Sequence, residues 1–238
     1  MQFWLIRHAQ PLVAPGVCYG ALDMAADPAA TALAATQLAA ALPQGLQVLY
    51  SPALRCRQLA DAVYVLRPDL VMHCAPDLRE MDFGHWEGQR WDAISPSELG
   101  AWTDDFENYQ CGVTGECTAD FVLRVLRAVL RCAQPAQVMP LAAAQHNSTS
   151  PVPPAIAWIT HAGVVRAIAW LLQQAGPETA GQTKEWQRPL ASKGLHLGLR
   201  ADAWPLHAPH FGQYQQLDWT AQASAHWAAR PQLAAESP

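Results

Sequence analysis

Two segments of this chain carry a histidine at the end of a short apolar run. Leu5-Ile6-Arg7-His8-Ala9-Gln10 sets a fixed cation beside an imidazole, a group able to be neutral near pH 7. Ile159-Thr160-His161-Ala162-Gly163-Val164 repeats the device and runs on into a helical pattern. A helix start there would offer free N–H groups and partial positive charge to an anion. In a third segment, Tyr50-Ser51-Pro52-Ala53-Leu54-Arg55-Cys56-Arg57, arginine falls in a first helical turn. Arg55 could point into the same mouth, or Arg55 and Arg57 could simply solvate an exposed helix face. A fourth, Leu78-Arg79-Glu80-Met81-Asp82-Phe83-Gly84-His85-Trp86-Glu87-Gly88, mixes acids, aromatics and glycines. Glu80 is its first candidate proton carrier and Glu87 the alternative; the plain reading is a tight loop with solvated or arginine-paired acids. Gathered at one mouth, guanidinium and imidazole groups could hold a small anion, and a carboxyl could move a proton.

These residues need a scaffold that brings distant stretches together. Phe3 to Ile6, Leu46 to Tyr50, Leu70 to Cys74, Ile156 to Thr160 and Leu195 to Leu199 read as strands, most of them apolar throughout, as in a sheet covered on both faces. Helical stretches separate them, the signature of an α/β domain. Asp27-Pro28 opens an alanine-rich helix ending at Leu42-Pro43, with Asp as cap and Pro in the first turn. Ser51-Pro52 repeats that device before Ala53 to Leu66, Thr118 is the expected cap of Ala119 to Cys132, and the residues after Gly163 read as a further helix through Gln174. In open α/β sheets ligands sit beyond the carboxyl ends of strands, where His8 and His161 would lie. Residues 1–238 read as one domain with a lid-like insertion at about 86–117 and a flexible, proline-rich loop at about 134–154. The tail from Ala228 reads as frayed.

Composition narrows the classes. With 15 basic and 20 acidic residues the formal charge is −5, against a general nucleic-acid or anionic-membrane binder. No run approaches the 18 or so apolar residues of a membrane span. The opening Met1-Gln2-Phe3-Trp4-Leu5-Ile6-Arg7 lacks a basic leader, so the expected location is the cytoplasm. Six scattered cysteines without a CxxC pair read as reduced thiols. The remaining histidines show no HxH or HExxH spacing, so no metal site is expected. The oligomeric state is not legible, and a homodimer stays open.

Taken together, the four segments resemble the histidine phosphatase superfamily, also called phosphoglycerate mutase-like. Arg7-His8 is similar to its Arg-His-Gly motif with Ala9 in the glycine place. Arg55 matches the arginine of the Ser-x-Leu-x-Arg-type helix start, in the register Ser-Pro-Ala-Leu-Arg. Glu80 matches the acid of Leu-x-Glu, and His161 the second histidine before Ala-Gly. The resemblance implies a three-layer α/β/α sandwich with a largely parallel, mixed sheet. It also implies hydrolysis of a small phosphomonoester through a phosphohistidine on His8, without metal or cofactor. Glu80 would be general acid and base; Arg7, Arg55 and a protonated or donating His161 would hold the phosphate. Gly16-Val17-Cys18-Tyr19-Gly20-Ala21-Leu22-Asp23, Arg55-Cys56-Arg57 and Arg79 to Gly88 are similar to the α-ribazole phosphatases of cobalamin synthesis. That branch implies α-ribazole 5′-phosphate as substrate, with Tyr19 and Gly20 as candidate pocket lining; His85, near Glu80 in sequence, is a further candidate. The alternatives are a broad-specificity or sugar-phosphate phosphatase, then a mutase or a non-catalytic phosphate-ligand binder. Ala9-Gln10-Pro11-Leu12 departs from the mutase continuation Gly-Glu-Ser-x-Trp-Asn.

Overall fold

The computed structural model describes residues 1–134, 154–176 and 196–229. Five strands form one sheet in the order β3-β2-β4-β1-β5. β1 (Gln2–Arg7), β2 (Gln47–Tyr50), β3 (Val71–Cys74) and β4 (Ala155–Thr160) run parallel, and β5 (Tyr214–Asp218) lies antiparallel on the β1 edge. The result is the largely parallel, mixed α/β sheet expected from the sequence.

Side-chain alternation along the central strands makes two cores. Phe3, Leu5, Ile156 and Trp158 face one cluster with α4 (Thr118–Ala133) and α5 (Ala162–Gln174). Trp4, Ile6, Ala157 and Ile159 face the other, with α1 (Pro28–Ala41) and α2 (Leu54–Leu66). Both faces of β1 and β4 are therefore dry, which is why those strands read as unbroken apolar runs. The short helix α3 (Pro96–Asp104) lies within 86–117, a stretch that buries Trp86, Ile94, Phe106 and Cys111 in the α4–α5 core. A last helix, α6 (Ala221–Ala228), buries Trp227 there as well.

Helix starts follow local chemistry, not always as expected. Asp27 caps α1, its Oδ1 accepting from Ala30 N at 2.7 Å, with Pro28 in the first turn. Ser51 does not cap α2: the cap residue is Ala53, and the free Leu54 N–H is met from another loop by Asp23 Oδ1 at 2.7 Å. Thr118 does not cap α4; the Cys117 thiol takes that place, accepting from Asp120 N. Leu195 lies outside the described residues, and residues 196–200 are not a strand. Their Leu197 and Leu199 N–H groups both donate to the Glu107 carboxylate, which replaces a ladder partner. The expected loop at 134–154 falls almost wholly outside the described residues, as does the tail beyond 229. Among the described residues no helix is long and apolar enough to cross a membrane.

Candidate active site

Arg7 ends β1 opposite Thr160, the end of β4, and His8 N donates to Thr160 O at 2.9 Å. The adjacent parallel strands thus deliver His8 and His161 side by side, ring centroids 5.2 Å apart. His8 is buried. Its Nδ1 lies 2.8 Å from Ala9 O, and a carbonyl only accepts, so Nδ1 carries the proton and Nε2 the lone pair. Burial, reinforced by the Arg55 charge, pulls the His8 pKa down to about 3, so the ring is neutral near pH 7.

Arg55 is completely buried in the first turn of α2. Its Nη1 donates to Leu22 O at 3.0 Å and its Nη2 to Gly20 O at 2.7 Å. Nη2 also lies 3.2 Å from His161 Nδ1, and since a guanidinium only donates, Nδ1 accepts. His161 Nε2 then holds the proton and gives it to Ser51 Oγ at 2.8 Å. Burial and the Arg55 charge keep His161 well below the usual imidazole range. Of the expected protonated or donating ring, the structure shows a neutral one that donates to Ser51 and accepts from Arg55, so both ring nitrogens are engaged and the ring orients Arg55. Cys56, also beside His161, is no nucleophile, because burial pushes its thiol up to about 12.

Arg7 places Cζ 3.8 Å over the Phe211 ring and donates from Nη1 to Pro209 O at 3.2 Å. No carboxylate pairs with Arg7 or Arg55 among the described residues. Glu80 enters the same mouth. Its backbone is fixed by Arg124 of α4, which donates to the carbonyls of Asp77, Arg79 and Glu80 and pairs with Glu116 at 2.7 Å. Its carboxyl accepts from Gly163 N at 3.0 Å and Met81 N at 3.1 Å. Burial nevertheless pushes the Glu80 pKa above the ordinary glutamate value, outweighing those N–H groups and the Arg55 and Arg166 charges.

Arg7, His8, Tyr19 and Glu80 line a cavity of about 270 Å³ whose other walls include Phe83, Trp91 and Trp102. Trp91 and Trp102 stack at 13° with centroids 6.3 Å apart. Gly20 lines a second cavity of about 370 Å³ that also reaches Glu80. A Cβ on Gly20 would fall 1.8 Å from Met81 O, so only glycine lets its loop close on the segment that follows Glu80. The structure thus gathers Arg7, His8, Arg55, Glu80 and His161, with Tyr19 and Gly20 around them.

His85 is not part of this site. It is exposed and faces Glu98 at 3.4 Å, because the left-handed turn at Gly84 (φ 58°) turns it outward. Glu87 is no free acid: its carboxylate accepts from Ala21 N at 2.7 Å, Phe83 N at 3.0 Å and Leu22 N, stapling the loop that holds Arg55. Two contributors escaped the sequence reading. Ser51, read as a cap, fixes His161, and Arg166 lines the aromatic cavity from α5. Arg166 falls three residues after Gly163 on the same helix face, a spacing visible in the sequence. Among the described residues no group of three or more His, Cys, Asp or Glu side chains is placed to hold a metal ion.

Residues 3–185 match the profile of the histidine phosphatase superfamily (branch 1). No curated protein is significantly similar. Among solved structures, TTHB049 from Thermus thermophilus shares 26% identity and a TM-score of 0.54, over 73% of this chain and 85% of its own. A phosphoglycerate mutase from the same organism shares 27% identity, TM-score 0.53, over 74% of this chain and 85% of its own. A candidate alpha-ribazole-5'-P phosphatase from Escherichia coli shares 25% identity, TM-score 0.56, over 72% of this chain and 79% of its own.

Proposed function

Because this chain belongs to the histidine phosphatase superfamily (branch 1), we propose that it hydrolyses a phosphomonoester through a phosphohistidine on His8. The observation that carries this reading is the tautomer of His8. An Nδ1–H held by Ala9 O leaves Nε2 as a bare nucleophile beside two guanidinium groups without carboxylate partners. A phosphate ester near pH 7 is mostly a dianion, and its loose transition state spreads charge over three equatorial oxygens. Arg7 and Arg55 stabilise that charge beside the buried His8.

In the first step Nε2 bonds to phosphorus, the ester P–O bond breaks, and Glu80 gives its proton to the leaving oxygen. Its raised pKa supports this, because the carboxyl must be protonated to donate. In the second step Glu80, now a carboxylate, takes a proton from water as that water attacks phosphorus and the N–P bond breaks. His161 acts through Arg55, holding its fork with a neutral Nδ1.

For the substrate we propose α-ribazole 5′-phosphate. The segment from Gly16 to Asp23, the aromatic cavity wall made by the stacked Trp91 and Trp102, and the likeness to the Escherichia coli protein support it. A broad-specificity or sugar-phosphate phosphatase is the alternative. A rapid alkaline detergent quench with labelled substrate tests the chemistry: wild type forms a base-stable phosphoprotein that acid then hydrolyses, and His8→Asn forms none. A phosphoprotein of equal yield in His8→Asn refutes the mechanism. A panel of α-ribazole 5′-phosphate, 3-phosphoglycerate and sugar phosphates tests the substrate; a kcat/KM preference for the first below about tenfold refutes it.

A further inference from the structure

Arg166 is a cation that no carboxylate of the described residues pairs with, although its charge is felt by Glu80 in the same cavity. It makes no hydrogen bond or ion pair among the described residues, and its Nε is buried without a partner. Arg67, Arg90, Arg124, Arg131 and Arg200, by contrast, each pair with a carboxylate of this chain. A desolvated donor left unsatisfied costs free energy on folding, a cost offset when a ligand supplies the acceptor.

Its position says which part of a ligand. Arg55 and Arg7 already flank His8, where the phosphoryl group belongs. Arg166 projects from α5 into the aromatic cavity, together with Phe83, Trp91 and Trp102. Phe83 meets both tryptophans edge-on, with centroids 5.4 and 6.1 Å away, so the cavity offers flat walls and one guanidinium. Glu80 shares the cavity but lies beyond ion-pair distance of Arg166, so it does not consume this fork. A purely apolar leaving group would bury Arg166 further and satisfy nothing.

We propose that Arg166 is a specificity-determining residue, which donates to an oxygen or nitrogen acceptor on a ring-bearing leaving group held in the aromatic cavity. The substrate class is therefore a phosphomonoester with a planar ring and an acceptor atom on the leaving side. This rests on the phosphatase reading of the same site, and in α-ribazole 5′-phosphate the acceptor would be the free ring nitrogen or a ribose oxygen.

The experiment compares 4-carbamoylphenyl phosphate, which has an acceptor, with 4-ethylphenyl phosphate, which has none. The ratio of their kcat/KM values is measured for wild type, Arg166→Met and Arg166→Lys. The ratio in Arg166→Met falls about tenfold or more below that of wild type, as expected for losing a charged donor, and Arg166→Lys recovers part of it. A ratio within about twofold of wild type overturns the proposal, including the case in which both esters lose the same factor. Quenching of tryptophan fluorescence by the free phenols, 4-hydroxybenzamide and 4-ethylphenol, reads the same preference without any phosphoryl chemistry. If wild type turns over neither ester but the phenol preference falls in Arg166→Met, the phosphatase reading fails and the Arg166 assignment stands. If the esters are hydrolysed while neither preference moves, the assignment fails and the phosphatase reading stands. Arg166→Lys keeps length and charge, so its recovery separates the donor role from a loss of folding.

Discussion

Gly163→Ala sets helix propensity against the placement of a carboxyl group. Gly163 lies in the first turn of α5 outside the left-handed region, so alanine fits its backbone and would gain up to about 1 kcal/mol of helix stability. The added Cβ, however, would fall 2.2 Å from Glu80 Oε1 and 3.0 Å from its Cδ. Restoring ordinary contact moves the carboxyl by about 1 Å and breaks the 3.0 Å bond from Gly163 N, a loss of about 1–3 kcal/mol. Gain and loss offset each other in part, and 1 kcal/mol corresponds to about 2–4 °C in a chain of this size, so Tm shifts by only a few degrees. Turnover does not share this compensation. A misplacement of about 1 Å in a proton donor costs on the order of 100-fold in kcat for an alkyl phosphate. Nitrophenyl phosphate, whose leaving group needs no proton, loses less. Steady-state kinetics on both esters, beside a circular dichroism melt, reads all three quantities. A folded Gly163→Ala protein that turns over the alkyl ester within about threefold of wild type refutes the claim that this close approach aims Glu80.

Glu80→Gln lowers kcat for alkyl phosphates by about 10²–10⁴-fold and far less for nitrophenyl phosphate, and equal losses remove the acid role. Because the wild-type acid must be protonated, alkyl-ester kcat falls as pH rises through the elevated Glu80 pKa, a limb absent from Glu80→Gln. Native His8 stays neutral down to about 3, whereas the unfolded imidazole binds a proton near 6.5, so its stabilisation is complete above that value and is lost on acidification. Urea melts of His8→Asn between pH 6 and pH 4 therefore show a stability slope shallower by up to about 1.4 kcal/mol per pH unit; an unchanged slope contradicts the buried neutral ring. Glu80 contributes with the opposite sign, since its raised pKa makes the native state hold a proton the unfolded chain releases, but it does so in both proteins. Glu87→Ala frees Ala21, Leu22 and Phe83 N–H groups and loosens the carbonyls that grip Arg55. KM rises about tenfold with a smaller change in kcat, and a KM within about twofold of wild type shows that the staple does not serve the site.

The parts that were legible lie where one periodicity governs a segment. β1 and β4 are buried on both faces, so their apolar runs announced themselves, and His8 and His161 followed as the first residues beyond them. β5 did not announce itself, because Tyr-Gln-Gln-Leu-Asp is a half-exposed edge strand whose pairing with β1 holds it in place. Side-chain direction inside irregular loops was equally hidden. Glu80, His85 and Glu87 lie within eight residues, yet one enters the cavity, one faces solvent and one binds three backbone amides. What separates them is the turn at Gly84, packed against Gly112 and Gly115, a contact made across some thirty residues of chain. Ser51 departs from its expected cap role for a related reason: its hydroxyl meets the buried imidazole of His161, just beyond β4, instead of the nearby helix end.

The topology explains why so much charge can be gathered in a net-acidic protein. The chain leaves β1 for α1 on one face of the sheet, and leaves the adjacent β4 for α5 on the other, opening a crevice at their shared carboxyl ends. Arg55 reaches that crevice from α2 fully buried, and a guanidinium in such a place is ordinarily held by a carboxylate. Here carbonyl oxygens of Gly20 and Leu22 and a neutral imidazole take its protons instead. Those acceptors occupy Nη1 and Nη2 without cancelling the charge, while the buried Nε has no partner. A carboxylate in their place would stabilise the free protein more and make an incoming phosphate compete with it. Dipolar acceptors leave the full positive charge for the ligand, and the neutral tautomer of His161 is the condition for one of them to exist.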